Sequence, residues 1–265
     1  MDLIGIEDVQ RQIVDCHTHL TRYTFIQSRR NASWLPEENA HQLVGSMDRM
    51  GIGLSVVCGL GEENCQQNNN QLASIVAQHP GRLIGLASVH PRLPDDAAAE
   101  LERSVRDLGL KGLGEIGKRG YGRLDDLVFV DPLMALAEDM GVPVLCHTGF
   151  PSPQCHPDAV GAIAQRHPHL KLIMAHFGLV LAIEAIEVAL QYDNVWVDTS
   201  ATVSFPPEFY EYAIRRIGAE RVLWGSDWPL DPDVEMFKFS SWQLTTKERE
   251  NILWRNAHML FDLVV

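Results

Sequence analysis

Short apolar and β-branched runs alternate along this chain with stretches in which apolar positions recur at helical spacing. The runs fall at 11–20, 51–60, 82–90, 111–117, 142–149, 170–178, 194–200 and 221–229. Most are nearly continuous in apolar character, as expected of parallel strands covered on both faces. Between them, 36–50, 70–80 and 95–109 read as amphipathic helices, and 245–263 reads as a closing helix. Pro36 and Pro132 stand where a first helical turn tolerates proline, while "MGVP" and "QRHPHL" read as helix stops. After the first unit the strands return about every thirty residues, the length of a βαβ unit. Eight units in about 250 residues predict an α/β fold, a distorted (β/α)8 TIM barrel in one domain spanning 1–265. A doubly wound open sheet is the competing arrangement, weakened because no Gly-x-Gly-x-x-Gly follows the first strand.

Composition narrows the partners. With 265 residues, 46% of them hydrophobic, the chain can bury a large core. Its formal net charge of −13 repels phosphate backbones, so a small-molecule substrate is expected and nucleic acid is not. No apolar run is long enough for a membrane helix. The opening "MDLIGIEDVQRQ" lacks the long apolar core of a secretory signal, so a cytoplasmic protein is expected. A homodimer is compatible with this reading. Five cysteines at irregular spacing make no disulfide framework. Cys16 and Cys146 each precede a histidine and, on a strand, face away from it, as small buried hydrophobes.

Chemistry gathers at the C-terminal ends of barrel strands. His17 and His19 end the first run, Glu115 lies late on the fourth, and His147 ends the fifth. His176 ends the sixth, Asp198 lies late on the seventh, and Asp227 ends the eighth. Imidazoles two residues apart share a strand face and can converge on one ion. Asp15 shares that face and is expected to accept a ring N–H from a ligating histidine. His147 and Asp227 complete a nitrogen and oxygen donor set suited to a divalent first-row metal. Each residue alone has an ordinary alternative: a loop-margin polar group, a turn histidine, or, for Asp227, a helix cap. Their repetition at equivalent strand ends favours the metal site.

The blocks "IVDCHTHL", "GVPVLCHTG", "LKLIMAHFG", "NVWVDTSA", "RVLWGSDWP" and "ILWRNAHMLF" resemble, in order, those of the amidohydrolase superfamily, in particular its amidohydrolase-2 group of metal-dependent hydrolases and decarboxylases. The resemblance covers nearly the whole chain. It implies one or two divalent ions at the barrel mouth, zinc first, with manganese or iron(II) as alternatives. Carried over, His17, His19, His147 and Asp227 contact metal, and His176 is a second-metal ligand or a proton-transfer residue. "GLGEIG" departs from many members, and its Glu115 resembles the fourth-strand metal ligand of TatD-like deoxyribonucleases. Its alternative is a carboxylate holding a histidine or lysine in place.

The expected reaction is metal-assisted hydrolysis of an amide, lactone or ester in a small, anionic substrate. Metal-activated water attacks, Asp227 takes its proton, and His176 stabilises the oxyanion or assists the leaving group. Non-oxidative decarboxylation of an aromatic or unsaturated carboxylic acid is the second reading. A TatD-like phosphodiesterase is the third, and a non-enzymatic binding barrel the last. The loop 21–34 offers Arg22, Tyr23, Arg29 and Trp34, with Phe25 and Arg30, as an aromatic and basic lid; a solvated surface loop is its alternative. His41, His79, His90, His167, His169 and His258 read as structural, and Cys155 and His156 receive no chemistry.

Overall fold

The computed structural model describes residues 12–21, 35–61, 63–92, 94–117, 122–149, 154–202 and 205–263. The expected lid residues Arg22, Tyr23, Arg29 and Trp34 lie outside these.

Among the described residues, eight strands appear where the apolar runs place them. They are β1 Ile13–Thr18, β2 Ile52–Val57, β3 Leu83–Gly85, β4 Leu113–Ile116, β5 Val144–Cys146, β6 Leu172–Met174, β7 Val195–Asp198 and β8 Val222–Leu223. Several are shorter than their runs, because the later residues leave the sheet and become the loops that carry the site. The strands are parallel and ordered as in the sequence, in sheets β1-β2-β3 and β4-β5-β6-β7-β8. Single bridges, Ala87 to Leu113 and Thr18 to Trp228, join the two sheets at both edges. Backbone bonds run across each seam: Ala87 N–H to Gly112 O (2.8 Å) at one, Cys16 N–H to Trp224 O (3.0 Å) and His19 N–H to Trp228 O (2.7 Å) at the other. The eight strands thus form a distorted barrel.

Helices follow each strand: α1 Pro36–Met50, α2 Cys65–Gln78, α3 Pro94–Arg106, α4 Asp131–Asp139, α5 Pro157–Arg166, α6 Ala182–Gln191, α7 Pro207–Ile217 and α8 Pro232–Ser241. Pro36 and Pro132 do sit in first turns, and α4 and α5 end at the stop signals, with Met140 and His167 as C-caps. Among the described residues, no helix is long and apolar enough to cross a membrane.

The core divides in two. A large cluster packs strand residues such as Leu113, Val144, Leu172 and Val197 against the helices. A smaller one gathers Val14, Val56, Leu145, Ile173 and Leu223 with Ala257, Leu260 and Phe261 of the C-terminal helical stretch, and fills the barrel's interior. Cys146 packs in the outer cluster, away from His147 as expected. Cys16 does not follow that rule: it lies in the inner cluster with Val14. The pairing of β1 with β2 shifts register between Asp15 and Thr18, which breaks strict alternation there.

Candidate metal-binding active site

The loops at the C-terminal ends of β1, β4, β5, β6, β7 and β8 bring the candidate residues together. His17 Nε2 and His19 Nε2 stand 3.0 Å apart. Asp227 Oδ1 lies 3.4 Å from His19 Nε2 and 3.8 Å from His17 Nε2. Glu115 Oε2 lies 3.3 Å from His19 Nε2 and 3.6 Å from His17 Nε2. The other oxygen, Oε1, is 2.7 Å from His147 Nδ1 and 3.3 Å from His176 Nε2, and those two imidazoles are 3.2 Å apart. Glu115 therefore joins two histidine pairs, one oxygen toward each.

Backbone geometry holds this arrangement. Gly114, before Glu115, has φ 149°, and a Cβ there would meet Leu145 Cβ at 2.7 Å, so glycine is required. His176 (φ 62°) and Asp227 (φ 56°) adopt left-handed conformations that cost non-glycine residues energy. Asp227 N–H donates to His17 O (2.8 Å), which ties the eighth loop to β1. The helix-cap alternative for Asp227 fails, because Asp231 is the N-cap of α8 and accepts from Asp233 N–H.

Asp15 is not the histidine's carboxylate. Its side chain turns to the eighth loop, where Ser226 donates N–H to Oδ1 (2.9 Å) and Oγ–H to Oδ2 (2.6 Å). Burial raises its pKa to about 7 despite the Ser226 bonds that favour its charge. Asp198, the last residue of β7, takes the expected role: its Oδ2 is 2.9 Å from His17 Nδ1. It also accepts from His176 N–H (3.0 Å) and from the Ser200 hydroxyl. Ser200 Oγ in turn lies 3.0 Å from His176 Nδ1. Asp198 is noted in the sequence only as a late-strand carboxylate and Ser200 not at all. The signal available was their i, i+2 spacing in "VDTS", which puts both on one face.

Burial opposes ionisation of Asp198, but the neighbouring His17 outweighs it and holds the carboxyl below its ordinary pKa. Burial likewise opposes charging of His17 and His176. For His17, Cys58, Asp198 and Glu115 outweigh burial; for His176, Glu115 and Asp227 do; both pKa values rise. A site that draws protons onto buried imidazoles also draws a metal cation. With a proton on His17 Nδ1 facing Asp198, the Nε2 lone pair is available to a metal. The donors are imidazole and carboxylate, and His17, Glu115 and His176 each offer a ligand atom within 4.8 Å of the others. The residues fit a divalent cation.

The side chains of His147 and Asp227 are 18% and 11% exposed, against 4% or less for His17, His19, Glu115 and His176. The site opens on the His147–Asp227 side. His156 caps α5, and His167 sits between Asp131 and Glu138, in keeping with structural roles.

The family model described as Amidohydrolase matches residues 14–263, and the chain belongs to that family. Decarboxylase orsB of Emericella nidulans is 26% identical to it over 280 residues, covering 82% of this chain and 84% of that protein. Gamma-resorcylate decarboxylase of Polaromonas sp. is 24% identical over 296 residues, covering 92% and 89%. The crystal structure of dihydroxybenzoic acid decarboxylase from Polaromonas sp., with bound manganese and the inhibitor 2-nitroresorcinol, shares the fold. Its TM-score is 0.72 at 20% identity, with 96% of this chain and 97% of that chain covered. These relatives are named decarboxylases, which overturns the expectation of a hydrolase and favours the second reading.

Proposed function

We propose that the protein is a metal-dependent, non-oxidative decarboxylase of a small aromatic or unsaturated carboxylic acid. The observation that carries this reading is the meeting of two histidine pairs across Glu115, one pair beside Asp227, in a chain whose relatives are named decarboxylases. His17, His19, Glu115, His147 and Asp227 would hold the ion. Manganese replaces zinc as first choice: the donors are oxygen and imidazole nitrogen, and a relative's structure contains manganese. When bound, the ion supplies positive charge that orients an anionic substrate and steadies charge developing on it.

His176 is the proton donor. Its Nε2, beside Glu115 Oε1, holds a proton that the buried carboxylate helps retain. That proton moves to the ring carbon bearing the carboxylate. The carbon–carbon bond then breaks, its electron pair returns to the ring, and carbon dioxide leaves. His176 recovers a proton from water. The Ser200 hydroxyl donates to Asp198 and so accepts from His176 Nδ1–H, which holds the ring with Nε2 toward the substrate. Asp227, on the open side, would hold the ion and face the incoming substrate.

The test is incubation of manganese-loaded enzyme with 2,6-dihydroxybenzoate and other hydroxybenzoates, beside a panel of lactones and amides. Carbon dioxide release from an aryl acid is expected. Acid formation from a lactone or amide with no carbon dioxide from any aryl acid would overturn the reading.

A further inference from the structure

A sulfur donor stands beside the first histidine pair. The Sγ of Cys58 and one ring nitrogen each of His17 and His19 all lie within 4.8 Å of one another. Cys58 directly follows β2 and is fully buried, and it forms no disulfide. Its backbone is pinned: Cys58 N–H donates to Thr18 O (2.8 Å), and the next residue, Gly59, donates to Gly114 O (2.8 Å) beside Glu115. A Cβ on Gly59 would meet Ser88 Cβ at 2.5 Å, so the backbone passes too close to Ser88 to shift. The decarboxylation has no use for a thiol.

We propose that Cys58 is a latent metal ligand that sorts cations at this site. Hard manganese is satisfied by carboxylate and imidazole and does not draw on the sulfur. Zinc and cadmium take thiolate readily, with zinc bonding sulfur at about 2.3 Å and imidazole nitrogen at about 2.0–2.1 Å. A tetrahedral ion with those bonds holds sulfur and nitrogen about 3.6 Å apart, so Cys58 closes by about 1.2 Å at most. On binding, the S–H bond breaks, a sulfur–metal bond forms and the proton passes to solvent, with no change of oxidation state. His17, His19 and Cys58 then supply three protein ligands, with the carboxylates of Glu115 and Asp227 beside the histidine pair.

Cadmium titrated into the manganese-loaded full chain tests the ligation. The ultraviolet sulfur-to-cadmium charge-transfer band is expected at one equivalent, and the cadmium NMR resonance is expected in the thiolate-ligated range. Both are expected to vanish in Cys58→Ser and Cys58→Ala and to persist in Cys16→Ser, which removes the other thiol of the inner cluster. Zinc affinity should fall about tenfold or more in the Cys58 variants while manganese affinity stays within about twofold, which also reports an intact site. No thiolate signature in the wild type, or one that survives in Cys58→Ser, overturns the proposal. Because these readouts need no turnover, they stand even if no aryl acid is decarboxylated.

Discussion

Asp198 Oδ2 lies 2.9 Å from His17 Nδ1, across 181 positions of sequence. The bond keeps a proton on Nδ1 and turns the Nε2 lone pair toward the metal donors. Asp198→Asn keeps the shape but loses the charge, and its amide can present an N–H to Nδ1 and favour the wrong tautomer. Manganese affinity is expected to fall about 10- to 100-fold, measured by calorimetric titration. An unchanged affinity would remove Asp198 from the site.

In the proposed reaction His176 separates proton transfer from metal binding: His176→Asn would remove the proton donor and leave His17, His19 and Asp227 in place. Carbon dioxide release is expected to fall about a hundred- to ten-thousand-fold, with manganese affinity within about threefold of wild type. A parallel collapse of affinity would make His176 a ligand instead.

The parts of this site that were legible in the sequence are those fixed by local order. Strand period placed His17, His19, Glu115, His147, His176 and Asp227 at equivalent ends, and the barrel brings all six together. What depends on neighbours distant in sequence was not legible. Asp15, two residues from His17, reads as its partner in the sequence, but the register shift between Asp15 and Thr18 breaks the shared face, Ser226 holds the Asp15 carboxylate, and β7 delivers Asp198 in its place. Cys58 comes near the histidines only because β2 lies beside β1. The reaction itself is not legible there, because imidazoles and carboxylates around a divalent ion serve hydrolysis and decarboxylation alike. The choice lies in how substrate is held, which strand-end spacing does not encode.

Ser226 anchors the eighth loop to β1. Its hydroxyl donates to buried Asp15 Oδ2 at 2.6 Å and accepts from Trp228 N–H at 3.1 Å. Ser226→Ala leaves both buried groups short of a partner, and a stability loss of about 1–3 kcal/mol is expected. Urea unfolding measures it. A midpoint equal to wild type at unchanged slope would show that the loop is anchored elsewhere.

Glu235 makes stability depend on pH. This α8 carboxylate is buried, and burial, aided by the charges of Asp227 and Asp198, raises its pKa from 4.5 to about 7 despite Lys238, whose Nζ stands 2.8 Å away. The folded state therefore binds the proton more tightly than the unfolded chain. Between pH 4.5 and about 7 the folded protein holds more protons at this group, so its contribution falls as pH rises through that window. The loss across the window is of the order of 3 kcal/mol. Glu235→Gln should remove this dependence, so its stability relative to wild type rises between pH 5 and pH 7. Lys238 keeps its bond to Thr202 O (3.1 Å) in the variant, so the link between α8 and the seventh loop survives. Urea unfolding of both proteins at the two pH values reads the difference directly, with manganese at saturation throughout to hold the charge around Asp227 constant. Equal slopes of stability against pH in the two proteins would mean that Glu235 ionises normally in the folded state.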